Sequence, residues 1–325
     1  MKLLITGANG LLATNTIKYF LELGHEVKGL LRSKEKFVLP PHPKLELVQG
    51  DITEPSAVEN AVKDCDAVIH IAALTSPDLP NYDSYYKVNV AGSENLVKAA
   101  IKFKLKKFIY VSSANTMGFG SSENPGTETT PLKPPFTESL YAKSKLEAQQ
   151  KLFSYADKIA IVTVNPTFML GPYDGKPSSG EIILMGYRKK FIFYPPGGKN
   201  FVDVRDAARG ISAALKKGKN REIYLLAGQN LSYKEFFQKL VKKRTGAKSV
   251  MIKVPKPLLL IAGYAGDFLR KLNVKTSASS ANMKILCVKN YYSAKKAEEE
   301  LDVHFHPIGD AIEDAIAWFQ KNGKL

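Results

Sequence analysis

The tightest constraint on this chain is a strand-to-helix turn at residues 2–13. The run Lys2–Thr6 (KLLIT) has the apolar, β-branched character of a buried strand. It passes directly into Gly7-Ala-Asn-Gly10-Leu-Leu-Ala13, which opens a segment of helical periodicity, Leu11–Leu23. Gly7 permits the tight turn, Gly10 lets backbone approach a pyrophosphate, and Ala13 is small enough for close helix–strand packing. The first amides of the helix offer N–H groups and a positive dipole end to phosphate. Gly7, Asn9, Gly10, Leu11 and Leu12 are therefore candidate dinucleotide-binding residues.

The turn heads a longer alternation. Apolar runs at Leu3–Thr6, Ala67–Ala73, Phe108–Val111 and Ile159–Val164, with further strand candidates at Glu26–Leu31 and Leu45–Val48, are interleaved with helical segments. Those segments are Leu11–Leu23, Pro55–Lys63, Tyr85–Phe103 and Thr137–Tyr155. Strands apolar on both faces, alternating with helices, predict an α/β fold with a doubly wound parallel sheet. After Asn165 the pattern changes to Gly/Pro-rich loops, isolated strands (Phe201–Val204, Glu222–Leu226) and amphipathic helices (Ser232–Arg244, Ile308–Gln320). Residues 1–165 are expected to form the dinucleotide-binding domain and 166–325 a smaller, substrate-binding C-terminal lobe, with about 200–228 returning to the sheet.

Composition narrows the function classes. Hydrophobic residues make up 44%, enough for a packed core. The two cysteines, Cys65 and Cys287, cannot build a disulfide framework and suit a reducing, cytoplasmic setting. The opening MKLLITGANG lacks a signal-peptide apolar region. The longest apolar stretch, Leu258–Leu269, is broken by Asp267 and falls short of the ~20 residues of a spanning helix. It is expected to be a buried helix or a pocket wall, without stable membrane insertion, and a peripheral membrane role is the alternative. The formal charge of +16 is spread along the chain, with short clusters such as Lys216-Lys217 and Lys242-Lys243-Arg244. No nucleic-acid-binding motif accompanies it, so a solvated surface is expected and no nucleic-acid partner. None of the five histidines has metal-ligand spacing, so no metal is expected. His70 fits a strand residue with a satisfied ring, while His304 and His306 alternate as on one strand face. Thr75, Met117, Phe168, Met169, Phe191 and Tyr194 are pocket-lining candidates, with core packing an equal reading.

The second strand ends Gly29-Leu-Leu-Arg32-Ser33. No carboxylate stands between Val27 and Lys34, whereas Arg32 does, and a guanidinium suits a ribose 2′-phosphate. NADP is the expected cofactor and NAD the alternative. Asp51, after the third strand, can accept from an adenine amino group, and Ile52 can cover the ring. The small residues Ala72 and Ala73, after the fourth strand, permit cofactor–backbone contacts.

Tyr141 and Lys145 lie four residues apart and share one helix face. A lysine ammonium near a phenol favours the phenolate and is expected to bring Tyr141 down from its ordinary pKa near ~10. The fifth strand ends in Ser112-Ser113, where a hydroxyl can stabilise a carbonyl oxygen gaining negative charge. Asn89, on the intervening helix, is placed to hold a water or orient Lys145. The loop Met117–Phe136, about twenty residues long, suits a substrate cover.

Together these pieces resemble the extended short-chain dehydrogenase/reductase family. TGANGLLA (Thr6–Ala13), GDI (Gly50–Ile52), HIAA (His70–Ala73), VNVAG (Val88–Gly92), YVSSA (Tyr110–Ala114), YAKSK (Tyr141–Lys145), NPTFMLGP (Asn165–Pro172) and FVDVRDAARG (Phe201–Gly210) carry the resemblance, in order, over about the first 210 residues. It implies a Rossmann fold and Ser113, Tyr141 and Lys145 as the catalytic set. It further implies Lys145 on the nicotinamide ribose, Pro166 near the carboxamide with Met169 beside it, and a homodimer through Tyr85–Phe103 and Thr137–Tyr155. The Arg32 strand end is similar to that of the dihydroflavonol and aldehyde/ketone reductases. That implies NADP(H)-dependent reduction of an aldehyde or ketone to an alcohol, with an NAD-dependent nucleotide-sugar epimerase/dehydratase as the alternative. Asn165 departs from the arginine that many members carry before the proline.

Overall fold

The computed structural model describes the chain apart from residues 77, 78, 80, 244–248, 273 and 275. Seven strands form the central sheet: β1 (Lys2–Thr6), β2 (Glu26–Leu31), β3 (Leu45–Gln49), β4 (Ala67–His70), β5 (Lys107–Val111), β6 (Ala160–Pro166) and β7 (Ile223–Leu226). Every pairing is parallel, in the order β7-β6-β5-β4-β1-β2-β3. The chain winds outward from β1 to β3, then returns to lay β4 on the other side of β1. That reversal leaves a crevice beyond the carboxyl ends of β1 and β4.

The helices that cover the sheet include α1 (Leu11–Glu22), α2 (Pro55–Val62), α3 (Gly92–Lys102), α4 (Leu140–Phe153) and α5 (Val204–Lys217). Alternation along β1 explains the two layers. Leu3 and Ile5 pack with Ile17, Phe20 and Ile211 on one face, whereas Leu4 packs with Val58, Leu96 and Val97 on the other. All three β1 residues are fully buried, as strands covered on both sides must be.

Beyond β6 the chain builds smaller sheets. Gly198–Asp203 pairs with Phe168–Leu170, Gln229–Ser232 and Lys289–Asn290, and Phe191–Tyr194 pairs with Val250–Lys253. A further core forms here around Phe201, Phe236 and Phe319. The helix Tyr233–Lys242 starts on a capping box made by Ser232 and Glu235. Arg244, expected in its last turn, lies outside the described residues.

Two expectations are corrected. His304 and His306 do not sit on a strand; the segment is irregular because the His306 backbone N–H donates to Asp206 (2.7 Å) and its Nδ1 lies 2.9 Å from the same buried carboxylate. Nor is Leu258–Leu269 a buried helix or a pocket wall. It belongs to the helix Lys256–Lys271, of which only Gly263 and Gly266 are buried. The two glycines face the neighbouring helix, and Leu258, Ile261, Tyr264 and Phe268 face outward.

Candidate active site

The expected cofactor residues gather at the carboxyl ends of the strands. Gly7 has φ +72°, and a Cβ there would stand 3.0 Å from Ala72 Cα, so glycine alone fits. A Cβ on Gly10 would meet only the Gly7 carbonyl oxygen, at 3.3 Å, and the space above it is open. Gly10 caps α1 with no side-chain bond, and no acidic residue occupies the first turn, which leaves the amides of Leu11 and Leu12 facing that space. An open cradle with uncapped amides fits a pyrophosphate. Asn9 is partly exposed on the same turn.

Arg32 is exposed at the end of β2, and among the described residues it forms no ion pair. Glu35 follows in a short 3₁₀ turn, takes a hydrogen bond from the Ser33 hydroxyl, and is held below the usual carboxylate range chiefly by that bond. Sequence reasoning stopped at Lys34 and missed this carboxylate. Asp51 receives the Thr53 backbone N–H (2.9 Å), and Ile52 packs against Gly92, whose Cβ would clash at 2.9 Å. Ala73 is partly buried in the segment after β4. Pro166 is buried at the end of β6, opposite Leu226 of β7, and the half-buried Met169 lies against the core on that side.

A buried polar chain ties the glycine turn to α4. Thr6 Oγ1 accepts the backbone N–H groups of Ile71 (3.1 Å) and Ala72 (3.0 Å), so its own hydrogen goes to His70 Nδ1, 2.8 Å away. His70 Nε2 then donates to Ser93 Oγ (2.8 Å), which donates to the Asn89 carbonyl (2.5 Å). The Asn89 amide donates to the Leu74 carbonyl (3.0 Å) and to Ser144 Oγ (2.9 Å), while its Oδ1 accepts the Leu74 N–H (2.7 Å). Ser144 donates to the Tyr141 carbonyl (2.8 Å). Asn89 thus contacts the helix that carries Lys145 without contacting Lys145. It lies in a π-helical turn, Tyr86–Ala91, a local widening of the helix that leads into α3. His70 is satisfied at both nitrogens, as expected, and burial and the Lys145 charge hold it well below its ordinary pKa.

Tyr141 sits in the first turn of α4, capped by Ser139, whose hydroxyl accepts the Ala142 N–H (3.3 Å). Burial pushes the phenol up to about 12, and the Ser113 hydroxyl beside it pulls it down. Lys145 has no part in that balance, which corrects the expected lowering by its ammonium. The reason is orientation: Lys145 Nζ donates to the Val111 carbonyl (2.7 Å) and lies 4.3 Å from the Tyr110 ring centroid. With its side chain buried, Lys145 is itself lowered to about 7.

Asn165, the departure noted above, is buried at the end of β6. Its amide donates to the Ser113 carbonyl (2.8 Å) and to Thr116 Oγ1 (2.9 Å), holding the end of β5 in place. Asn165→Ala should cost about 1–3 kcal/mol in urea unfolding, because it removes both bonds inside the protein. It should lower kcat more than it raises KM, since Ser113 loses its support. The loop Met117–Phe136 is pinned by the late Tyr291–Ser293 segment: Gly120 and Gly126 donate to the Tyr291 carbonyl (3.0 and 2.9 Å), and the Ser293 N–H donates to the Gly126 carbonyl (2.9 Å).

Residues 3–227 match the model of the NAD dependent epimerase/dehydratase family. The chain belongs to this family. With it goes an NAD(P)-dependent oxidoreductase of the extended short-chain dehydrogenase/reductase type, with a nicotinamide dinucleotide as cofactor. Among curated relatives, a Synechocystis protein named "Putative dihydroflavonol 4-reductase" is 29% identical, over 98% of this chain and 94% of its own. "Sterol demethylase protein B" of Methylococcus capsulatus is 24% identical over 100% of both chains. Of the solved structures, the crystal structure of gox2253 superposes with a TM-score of 0.84 at 29% identity, covering 99% of each chain. A UDP-glucose 4-epimerase from Thermotoga maritima shares the fold, with a TM-score of 0.79 at 19% identity and 99% of each chain covered. Among the described residues, no helix is long and apolar enough to cross a membrane.

Proposed function

We propose that this family member is an NADP(H)-dependent carbonyl reductase, working through Ser113, Tyr141 and Lys145. The observation that carries the reading is the Ser113 hydroxyl beside the Tyr141 phenol at the carboxyl end of β5. Bound along the glycine turn, the dinucleotide supplies a hydride at its nicotinamide ring. Gly7, Gly10, Leu11 and Leu12 cradle its pyrophosphate, and Asp51 and Ile52 border the adenine. Ala72, Ala73, Pro166 and Met169 wall the nicotinamide side, and Asn89 holds the Leu74 backbone against α4. A phenol with its pKa at about 12 is protonated at neutral pH, which suits Tyr141 to donate a proton to a carbonyl oxygen. Ser113 donates a hydrogen bond to that same oxygen as its charge grows. Lys145 sits one helical turn along, its ammonium held at the Val111 carbonyl (2.7 Å), and would hold the nicotinamide ribose of the bound dinucleotide. The segments after Pro166 that lie outside the sheet supply the substrate side of the crevice.

Names among the relatives support a hydroxyl or carbonyl carbon as the reacting centre. One is a "Sterol-4-alpha-carboxylate 3-dehydrogenase, decarboxylating" from Dictyostelium discoideum, 26% identical over 79% of this chain. The test is a panel of aldehydes, ketones and nucleotide sugars, each followed with NADPH and NADH. Net oxidation of NADPH by ketones or aldehydes is the expected outcome. Interconversion of nucleotide sugars without net cofactor turnover would overturn it.

Cofactor choice has its own test. Arg32→Ala should weaken NADP binding roughly 10- to 100-fold, the worth of a charged hydrogen bond to phosphate, while leaving NAD affinity nearly unchanged. Titration calorimetry with both dinucleotides measures it. Equal losses for both would remove Arg32 from the 2′-phosphate.

A further inference from the structure

We propose that the second lobe docks on an anionic lipid bilayer through the outer face of the helix Lys256–Lys271. This helix has its large and small residues the wrong way round for a helix in water. A Cβ on Gly266 would stand 1.4 Å from the Ala278 carbonyl oxygen, and one on Gly263 2.8 Å from Ser280 Cα, so the glycines make the packed face. On the other side Leu258, Ile261, Tyr264, Phe268 and, one step past the helix, Leu272 are each 57–63% exposed. Spaced three and four apart, they form one stripe.

The strand pair that leads into this helix repeats the inversion. In Phe191–Tyr194, Ile192 is buried, yet Phe191 and Phe193 are exposed, and their register partners Val250 and Ile252 are exposed with them. On soluble proteins, exposed apolar groups of this size mark interaction sites.

Charge says what covers it. Between Glu181 and Asp203 the only charged residues are Arg188, Lys189, Lys190 and Lys199. From Ser249 to Leu272 the cations Lys253, Lys256, Arg270 and Lys271 face a single anion, Asp267. That carboxylate is turned to the packed side, where it accepts the Ser280 N–H (3.2 Å). Lys253, Lys256 and Lys271 are exposed, with no ion pair among the described residues. A second copy of this chain would set cation against cation, whereas an anionic bilayer offers acyl chains to the stripe and headgroup charge to the lysines. At 16 residues the helix lies along the interface and does not cross it.

The docking is independent of the reaction proposed above, and its readout is sedimentation of the full chain with vesicles. Binding to phosphatidylcholine mixed with phosphatidylglycerol should be at least ~10-fold tighter than to phosphatidylcholine alone, and should weaken in ~0.5 M salt. The double variant Ile261→Glu/Phe268→Glu, which changes only exposed side chains, should lose vesicle binding and keep dinucleotide binding. Lys256→Glu/Lys271→Glu should lose the preference for anionic vesicles. No vesicle binding by the native chain, or binding untouched by Ile261→Glu/Phe268→Glu, would overturn the proposal. So would a concentration-dependent dimer in sedimentation velocity that this variant dissolves, which would assign the face to a second copy.

Discussion

Tyr141→Phe lowers kcat by about three orders of magnitude while dinucleotide affinity stays within about two-fold. The size follows from losing a positioned proton donor, worth about 10²–10⁴ in rate. The affinity is spared because the phosphate cradle belongs to the Gly7–Leu12 turn, and the chain from Thr6 to Ser144 reaches the Tyr141 backbone carbonyl, not its hydroxyl. Steady-state turnover beside a fluorescence titration separates the two. Near-native turnover would remove Tyr141 from the chemistry. Loss of both turnover and affinity would make it a structural residue.

Lys145→Met abolishes turnover to a similar degree, and it carries a second signature. Lys145 falls from an ordinary pKa of 10.5 to about 7 in the folded chain because it is buried. The unfolded chain therefore holds the extra proton between about pH 7 and 10.5, and by linkage this group makes stability rise with pH across that window. Below it, the folded protein carries the full cost of a buried ammonium. Relative to the native chain, Lys145→Met should gain roughly 2–3 kcal/mol in urea unfolding when pH drops from about 9 to about 6, since methionine has no proton to bind. A parallel pH dependence in both proteins would show that Lys145 keeps its ordinary pKa.

The sheet was legible because its signals are local. Runs apolar on both faces, alternating with helical segments, located β1 to β6 within a few residues, and the Gly7 turn announced the crevice. Ser113 and Tyr141 were legible as neighbours because strand ends and first helical turns meet on one edge. What escaped depends on where long side chains are aimed, and spacing does not encode that. Lys145 turns to the Val111 carbonyl because the end of β5 offers an acceptor within reach. Asn89 holds Leu74 and Ser144 because a π-helical turn rotates it toward them. Asn165 looked like a gap in a motif and is a brace for Ser113. For Lys256–Lys271, apolarity suggested burial, but hydrophobic periodicity cannot say which face of a helix finds a partner, and here the glycines found it.

The Thr6–His70–Ser93 relay begins at two main-chain N–H groups and ends at a main-chain oxygen, so neither end can change places with the other. Every hydroxyl along it is committed to a single orientation. The imidazole at its centre has no lone pair left for a further proton. An NMR titration through neutrality should therefore find this histidine silent, and any pH response of the crevice must originate on the helix across from it.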